Sequence, residues 1–237
     1  MLEELKEQVY RANMSLKESG LVILTWGNVS SIDESRQHIA IKPSGVSYAE
    51  LTPEQIVIVD MNGKVIEGDL KPSSDTPTHL ELYKAFPEIG GVCHTHSLYA
   101  TSFAQAANWE MDGISAFGTT HADYFDGAVP CTRAMKKKEI TQDYEKNTGL
   151  VIVETFRKLK LNPEHMPAVL VKSHGPFTWG ENAEQAVENS LVLETVAHMA
   201  FNMRALGNLD IEMQSELLRK HFDRKHGAGA YYGQDEK

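Results

Sequence analysis

His94-Thr95-His96 sets two imidazoles two residues apart in the apolar stretch Gly91–His96, which reads as a strand. Residues two apart on a strand project from one face, so both rings can reach a single ion. Cys93 and Thr95 then point the other way, which makes Cys93 a packed core residue and not a ligand. A third histidine, His174, lies in Ser173-His174-Gly175-Pro176, just past the strand-like run Ala168–Lys172. A strand end leading into a turn is a natural place for a ligand at a sheet rim. Asp75, in Pro72-Ser73-Ser74-Asp75-Thr76, offers an oxygen. Three histidines and one carboxylate suit zinc, with a carboxylate that substrate can displace. The chain has ten histidines, so this spacing alone leaves a metal pair and two ordinary imidazoles both open. His79, on an apolar-patterned helix over 77–86, reads as structural or exposed. His38, His165 and His198 have no partner at metal spacing.

The elements that must position these side chains alternate between helical and strand patterns. Leu2, Leu5, Val9, Ala12 and Leu16 recur at steps of three and four, which marks an amphipathic first helix ended by Gly20. Leu21–Thr25, His38–Lys42 and Ile56–Asp60 read as short strands. Asn62-Gly63, between Ile56–Asp60 and Lys64–Glu67, signals a hairpin because both turn residues tolerate positive φ. Thr76-Pro77 resembles a helix start, with Thr76 as cap and Pro77 first in the helix, which runs to about Phe86. Helices are expected over Leu98–Ala107, Val151–Leu159, Asn182–Leu206 and Ile211–Lys225. No internal repeat or low-complexity linker interrupts the chain, so one domain with a sheet between helical layers is expected.

Bulk properties narrow the function classes. The chain has 237 residues, 41% hydrophobic and 24% charged, a composition ordinary for a soluble globular protein. Its net charge is −10, with Lys and Arg spread along the chain, an acidic balance that argues weakly against nucleic-acid binding. A small anion is not excluded, because local donors decide such a site. Two cysteines, Cys93 and Cys131, suggest a reducing compartment. Charges from the first residues onward argue against a secretory signal, and no apolar run approaches the ~20 residues of a membrane span. A cytoplasmic protein is expected.

Eight segments together resemble the class II aldolase and L-ribulose-5-phosphate 4-epimerase superfamily, and within it the epimerases. They are Thr25-Trp-Gly-Asn-Val-Ser30, Ile41-Lys-Pro-Ser-Gly-Val46, Lys71-Pro-Ser-Ser-Asp-Thr76, His94-Thr-His-Ser97, Gly118-Thr-Thr-His-Ala-Asp-Tyr-Phe125, Ser173-His-Gly-Pro-Phe177, Lys220-His221 and Tyr231-Tyr-Gly-Gln234. They run in order over nearly the whole chain. The resemblance implies one domain over 1–237: three α/β/α layers around a central, largely antiparallel mixed sheet. It further implies zinc, replaceable by manganese or cobalt, held by His94, His96 and His174 with Asp75 at the metal. Asp123 and Tyr232 match the family's acid/base residues. Gly27, Asn28, Ser44, Gly45, Ser73 and Ser74 match its substrate-binding positions, with Lys42 close by. Thr119 is a further candidate to touch substrate. Glu145 and His221 are candidates to line the site, though each also suits a helix surface. Trp26 is read as a packing residue. Similar proteins form four-fold symmetric homotetramers with active sites between subunits, so a docked Tyr232 would be expected to meet a neighbouring subunit.

The reaction so implied interconverts L-ribulose 5-phosphate and D-xylulose 5-phosphate. C4 of the 2-ketopentose carries no acidic C–H bond, so simple proton abstraction cannot invert it. Retro-aldol cleavage of C3–C4, rotation of glycolaldehyde phosphate and re-addition to a metal-bound enediolate can. Two proton-handling groups are needed because the C4 oxygen changes side. Hydroxyls and N–H groups of Ser44-Gly45 and Ser73-Ser74, the Asn28 amide and the Lys42 charge suit a phosphate, although each stretch singly has the composition of a turn. Two rivals stand beside this expectation. A sugar-phosphate aldolase of the fuculose or rhamnulose type would typically carry glutamate where Asp75 stands. A non-catalytic relative such as an adducin head would be expected to lose its metal ligands, and all are present here.

Overall fold

The computed structural model describes residues 2–106, 113–207, 213–227 and 229–231. In chain order these form α1 (Leu2–Glu18), β1 (Asn28–Ile32), β2 (His38–Ile41), β3 (Val57–Asp60), β4 (Val65–Glu67), α2 (Thr76–Ala85), β5 (Gly91–His94), α3 (Leu98–Gln105), β6 (Gly113–Ile114), α4 (Thr119–Ala122), β7 (Val129–Pro130), α5 (Lys137–Thr141), α6 (Tyr144–Leu159), β8 (Ala168–Val171), β9 (Gly175–Gly180), α7 (Ala183–Ala205) and α8 (Ser215–His226). The main sheet has seven strands in the order β4-β3-β2-β1-β5-β9-β8, and β6 pairs with β7 separately. Every pairing within the seven is antiparallel. The parallel component of the expected mixed sheet reduces, among the described residues, to an isolated bridge between Cys131 and Leu170.

Alternation along the central strands sorts the two helical layers. Val29, Cys93 and Thr178 are cross-strand partners and face one side. There Val29 and Cys93 pack with Ala12 and Leu16 of α1 and Ala183, Ala186 and Val187 of α7. Ser30, Val92 and Trp179 are the next partners and face the opposite layer. On that side Phe86, Phe156 and Trp179 pack with ring centroids 5.1–5.4 Å apart. Each such pair adds about 0.5–1.5 kcal/mol beyond area burial, fastening α2 and α6 to the sheet. Gly149 lets those helices meet closely: a Cβ there would lie 2.7 Å from Glu81 Cβ and 2.9 Å from the Thr78 carbonyl oxygen. The Thr78 hydroxyl donates to the Glu145 carbonyl at 2.6 Å across the same contact. These contacts set the first residues of α2 and α6 side by side.

Several local expectations change in the folded chain. Residues 21–25 form no strand: Leu21 is buried, yet Ile23 and Leu24 are 61% and 74% exposed, and Leu24 has φ +57°. An apolar run without one consistent face gains nothing from joining a ladder, and pairing starts at Asn28 instead. The hairpin forms, but only Gly63 adopts positive φ, and Gly63 N–H donates to the Asp60 carbonyl at 2.9 Å. Thr76 lies inside α2, and its hydroxyl donates to the Ser73 carbonyl at 2.6 Å, so Asp75 takes the cap position. The helix of Val151–Leu159 starts earlier, at Tyr144, and the last helix starts later, at Ser215. Asn182 caps α7, its side chain accepting from Gln185 N–H at 2.9 Å.

His79 and His121 are buried, and burial lowers their pKa values to about 3 and about 4. The unfolded chain binds these protons near pH 6.5, whereas the folded chain resists them until pH 4 or below. Stability is therefore full above pH 6.5 and falls as pH drops toward 4, by about 1.4 kcal/mol per pH unit for each group. Urea unfolding at pH 7, 6 and 5 should show that fall, and His121→Leu should flatten it by one group's share. An unchanged slope in the variant contradicts the assignment.

Candidate functional site

Three antiparallel strands bring the site together. Asn28 of β1, His94 of β5 and Phe177 of β9 are direct cross-strand partners. The strand ends at His94, so His96 belongs to the turn into α3 rather than to the same strand face. The two rings meet nevertheless, with Nε2 atoms 3.2 Å apart. His174 enters from the turn between β8 and β9, where Ser173 adopts φ +61°. One ligand atom from each of His94, His96 and His174 lies within 4.8 Å of the other two. Gly27 underlies the site: it has φ +76°, and a Cβ there would meet the His94 carbonyl oxygen at 2.9 Å.

Electrostatics prepare the three rings to donate lone pairs. His94 Nδ1 lies 2.9 Å from the Pro176 carbonyl oxygen. A carbonyl only accepts, so Nδ1 carries the proton and Nε2 is free to ligate. Burial lowers the His174 pKa to about 4, with His94 and His96 adding to the effect. Burial and His94 lower His96 too. Burial works to raise the Asp75 carboxyl, but His94, His79, the Asn28 hydrogen bond and His174 outweigh it and hold the group below its usual range. Asn28 Nδ2 donates to Asp75 Oδ2 at 2.7 Å. Neutral imidazoles beside an ionised carboxylate fit a divalent cation. Asp75 is outside the group of ligand atoms that lie within 4.8 Å of one another, which comprises the histidines alone.

A pocket of about 420 Å³ surrounds this group. It collects Gly27, Asn28, Lys42, Ser44, Gly45, Ser73, Ser74, Asp75, His94, His96, Glu145 and His174 from the sequence reading. The two serine-bearing loops are tied together: Ser44 N–H donates to the Lys71 carbonyl at 2.9 Å, and Ser73 N–H to the Lys42 carbonyl at 3.0 Å. Lys42 is 2% exposed. Its Nζ donates to the Val46 carbonyl at 2.7 Å and lies 4.7 Å from the Tyr48 ring. No carboxylate among the described residues pairs with it, and burial pulls its pKa down to about 8.

Thr119, Asp123 and His221 do not line this pocket. Thr119 opens α4 and Asp123 closes it. The Asp123 carboxylate accepts from His221 Nδ1 at 3.0 Å and from Arg224 at 2.9 and 2.7 Å. Burial works to raise this carboxyl; the Arg224 and His221 hydrogen bonds prevail and hold it low. Tyr232 lies outside the described residues.

Other sequence readings sort clearly. Cys93 is packed on the opposite sheet face. His79 is structural, with Nδ1 2.7 Å from Ser30 Oγ. His38 pairs with Asp33, His165 lies 4.0 Å from Asp126, and His198 stacks on Tyr99. Trp26 is a correction: instead of packing, it is 52% exposed, lines the pocket and sits 5.9 Å from the His96 ring. Tyr144 was not anticipated, although it directly precedes Glu145; its hydroxyl is 3.4 Å from His174 Nδ1. Arg224 was also missed, and its spacing of three from His221 on one helix face was the available signal.

Comparison with known proteins adds an independent finding. The family model described as the class II aldolase and adducin N-terminal domain matches residues 7–201. An L-fuculose 1-phosphate aldolase structure is 25% identical with a TM-score of 0.74, covering 93% of this chain and 95% of that one. L-fuculose-1-phosphate aldolase from Thermus thermophilus superposes at TM-score 0.67 and 23% identity, over 89% of this chain and 100% of the other. YgbL from Klebsiella pneumoniae, for which aldolase, epimerase and decarboxylase stand as alternatives, superposes at TM-score 0.72 and 24% identity, over 92% and 97%. These last two likenesses speak for the fold alone.

Elemental analysis of the purified protein should find one divalent ion per chain. His96→Asn should lower that occupancy sharply while leaving circular dichroism and solubility intact, because the His96 ring is only partly buried. Parent-like metal content in the variant would remove His96 from the ligand set.

Proposed function

The chain belongs to the class II aldolase and adducin N-terminal domain family, and on that premise we propose that it interconverts L-ribulose 5-phosphate and D-xylulose 5-phosphate by breaking and remaking the C3–C4 bond. The observation that carries this reading is the cluster of three imidazoles in one pocket with Asp75, an uncompensated buried lysine and two serine loops. Class II aldolases typically depend on a divalent metal, and zinc is the proposed ion, with manganese or cobalt as substitutes. When bound, the cation would supply Lewis-acid stabilisation of the negative charge that cleavage develops.

The remaining work falls to the chain's own groups. Lys42 would give the phosphate a counter-charge, and the Ser44 and Ser74 hydroxyls, which have no partner among the described residues, would donate to it. Asn28 holds Asp75 at the pocket wall through its amide N–H. Asp123, kept ionised by Arg224 and His221, suits the acceptor of the C4 hydroxyl proton. The electrons of that O–H bond then close the aldehyde as C3–C4 breaks, and the bonding pair passes to the C2 carbonyl. Tyr232 is the proposed partner that returns a proton after the aldehyde rotates. Because Asp123 and His221 do not line the metal pocket of their own chain, we further propose a cytoplasmic homotetramer in which Glu145 and Thr119 help complete a shared site.

A second reading is net aldol cleavage, favoured by the likeness to L-fuculose 1-phosphate aldolase. Incubation with L-ribulose 5-phosphate separates the two. The epimerase yields D-xylulose 5-phosphate without net glycolaldehyde phosphate, and accumulation of free aldehyde phosphate would establish the aldolase instead. Lys42→Met should raise KM about 10- to 100-fold, the equivalent of a lost charge-assisted contact of roughly 1.5–3 kcal/mol, with a smaller change in kcat. Asp123→Asn should cut kcat by about 10²–10⁴ and leave metal content unchanged; metal loss in that variant would make Asp123 a ligand.

A further inference from the structure

His96 differs from the other two histidines in how it is held. His94 is fixed through Nδ1 by the Pro176 carbonyl at 2.9 Å, and His174 lies 3.4 Å from the Tyr144 hydroxyl. The only hydrogen-bonding partner given to the His96 ring among the described residues is His94 itself. Its place is therefore inherited from the backbone of the turn between β5 and α3.

That turn is strung between two anchors. On one side the Pro176 carbonyl, besides its contact to the His94 ring, accepts from Thr95 N–H at 3.4 Å. On the other side stands Glu194 of α7. Its Oε1 accepts from Tyr99 N–H at 2.8 Å and its Oε2 from Ala100 N–H at 2.9 Å. These are donors of the first turn of α3, which intrahelical bonding leaves unsatisfied. Ser97, at the cap position, makes no side-chain cap bond. Glu194 thus replaces the local cap with a carboxylate from another helix, where its charge also meets the positive helix end. The Tyr99 ring stacks on His198 of α7 with centroids 3.8 Å apart, so the same two helices are joined next to this bond pair.

We propose that Glu194 is a positioning residue for His96: its two bonds to the first turn of α3 fix the backbone that delivers the His96 imidazole to the metal. Glu194 does not line the pocket. A short local cap would satisfy α3 equally well but would not tie it to α7. The staple across 94–95 residues of sequence therefore does something a cap does not: it sets where His96 stands relative to the sheet. The inference rests on the three-histidine metal reading.

Titrating metal-depleted protein with Co²⁺ and following the visible d–d absorption tests both levels separately. The parent should bind one Co²⁺ with a four- or five-coordinate spectrum; failure of the parent to bind overturns the three-histidine reading and the proposal together. Glu194→Ala should then weaken the Co²⁺ Kd about tenfold or more, the scale expected for a lost outer-shell partner, and alter the absorption bands. Glu194→Gln keeps one acceptor oxygen and should lie between parent and alanine variant; it decides the matter if the alanine variant does not fold. Asn182→Ala removes the N-cap of α7, which does not line the pocket, and serves as a control for stability loss alone. A Kd within about threefold of the parent in both Glu194 variants overturns the proposal, as does an equal weakening in Asn182→Ala.

Discussion

The cross-strand register that sets Asn28 beside His94 and His94 beside Phe177 is the constraint on which the site depends. Side chains alternate along a strand, so a slip of one residue would turn His94 into the α1 and α7 layer and bring Cys93 to the pocket. The register is secured on both faces at once. On one, Val29 and Cys93 pack with Leu16 and Ala186; on the other, Val92 and Trp179 pack with the aromatic residues of α2 and α6. Two buried faces leave no alternative pairing that keeps both cores intact. The clustering of the three imidazoles is a by-product of core packing placed correctly.

From that register the placement of the other candidate ligands follows with little further design. His174 lies three residues before Phe177, in the turn that β9 needs to pair with β8. Asp75 stands at the start of α2, whose position is set by the Phe86, Phe156 and Trp179 cluster. Lys42 continues β2 into the loop that bridges to Pro72. A charge buried with no carboxylate partner among the described residues costs stability, a cost that an anionic substrate, as proposed, would offset. Asp123 is treated in the opposite way, satisfied by Arg224 and His221 within its own chain.

The sequence made much of this visible and hid the rest for identifiable reasons. The first helix was legible because its apolar residues recur at steps of three and four, and Leu5, Val9, Ala12 and Leu16 among them are buried by the fold. The central strand at His94 was legible from its apolar run, but the expectation that His94 and His96 share one strand face failed because the strand stops at His94 and His96 lies in the turn beyond it. The strand expected at 21–25 failed because hydrophobicity without a consistent buried face carries no register. The site's membership was legible mainly through ordered resemblance, since Gly-Asn, Pro-Ser-Gly and Pro-Ser-Ser singly have the composition of turns. What sequence could not supply was the separation of Asp123 and His221 from the metal pocket, or the grip of Glu194 on α3. Both are long-range contacts with no local signature.

The central claim is that His94, His96 and His174 bind one cation together. X-ray absorption at the zinc edge of the zinc-loaded protein reads this most directly. The account predicts nitrogen and oxygen neighbours at about 2.0–2.2 Å, with multiple-scattering features from three imidazole rings. A sulfur neighbour at about 2.3 Å, or a shell with fewer than three imidazoles, would contradict it.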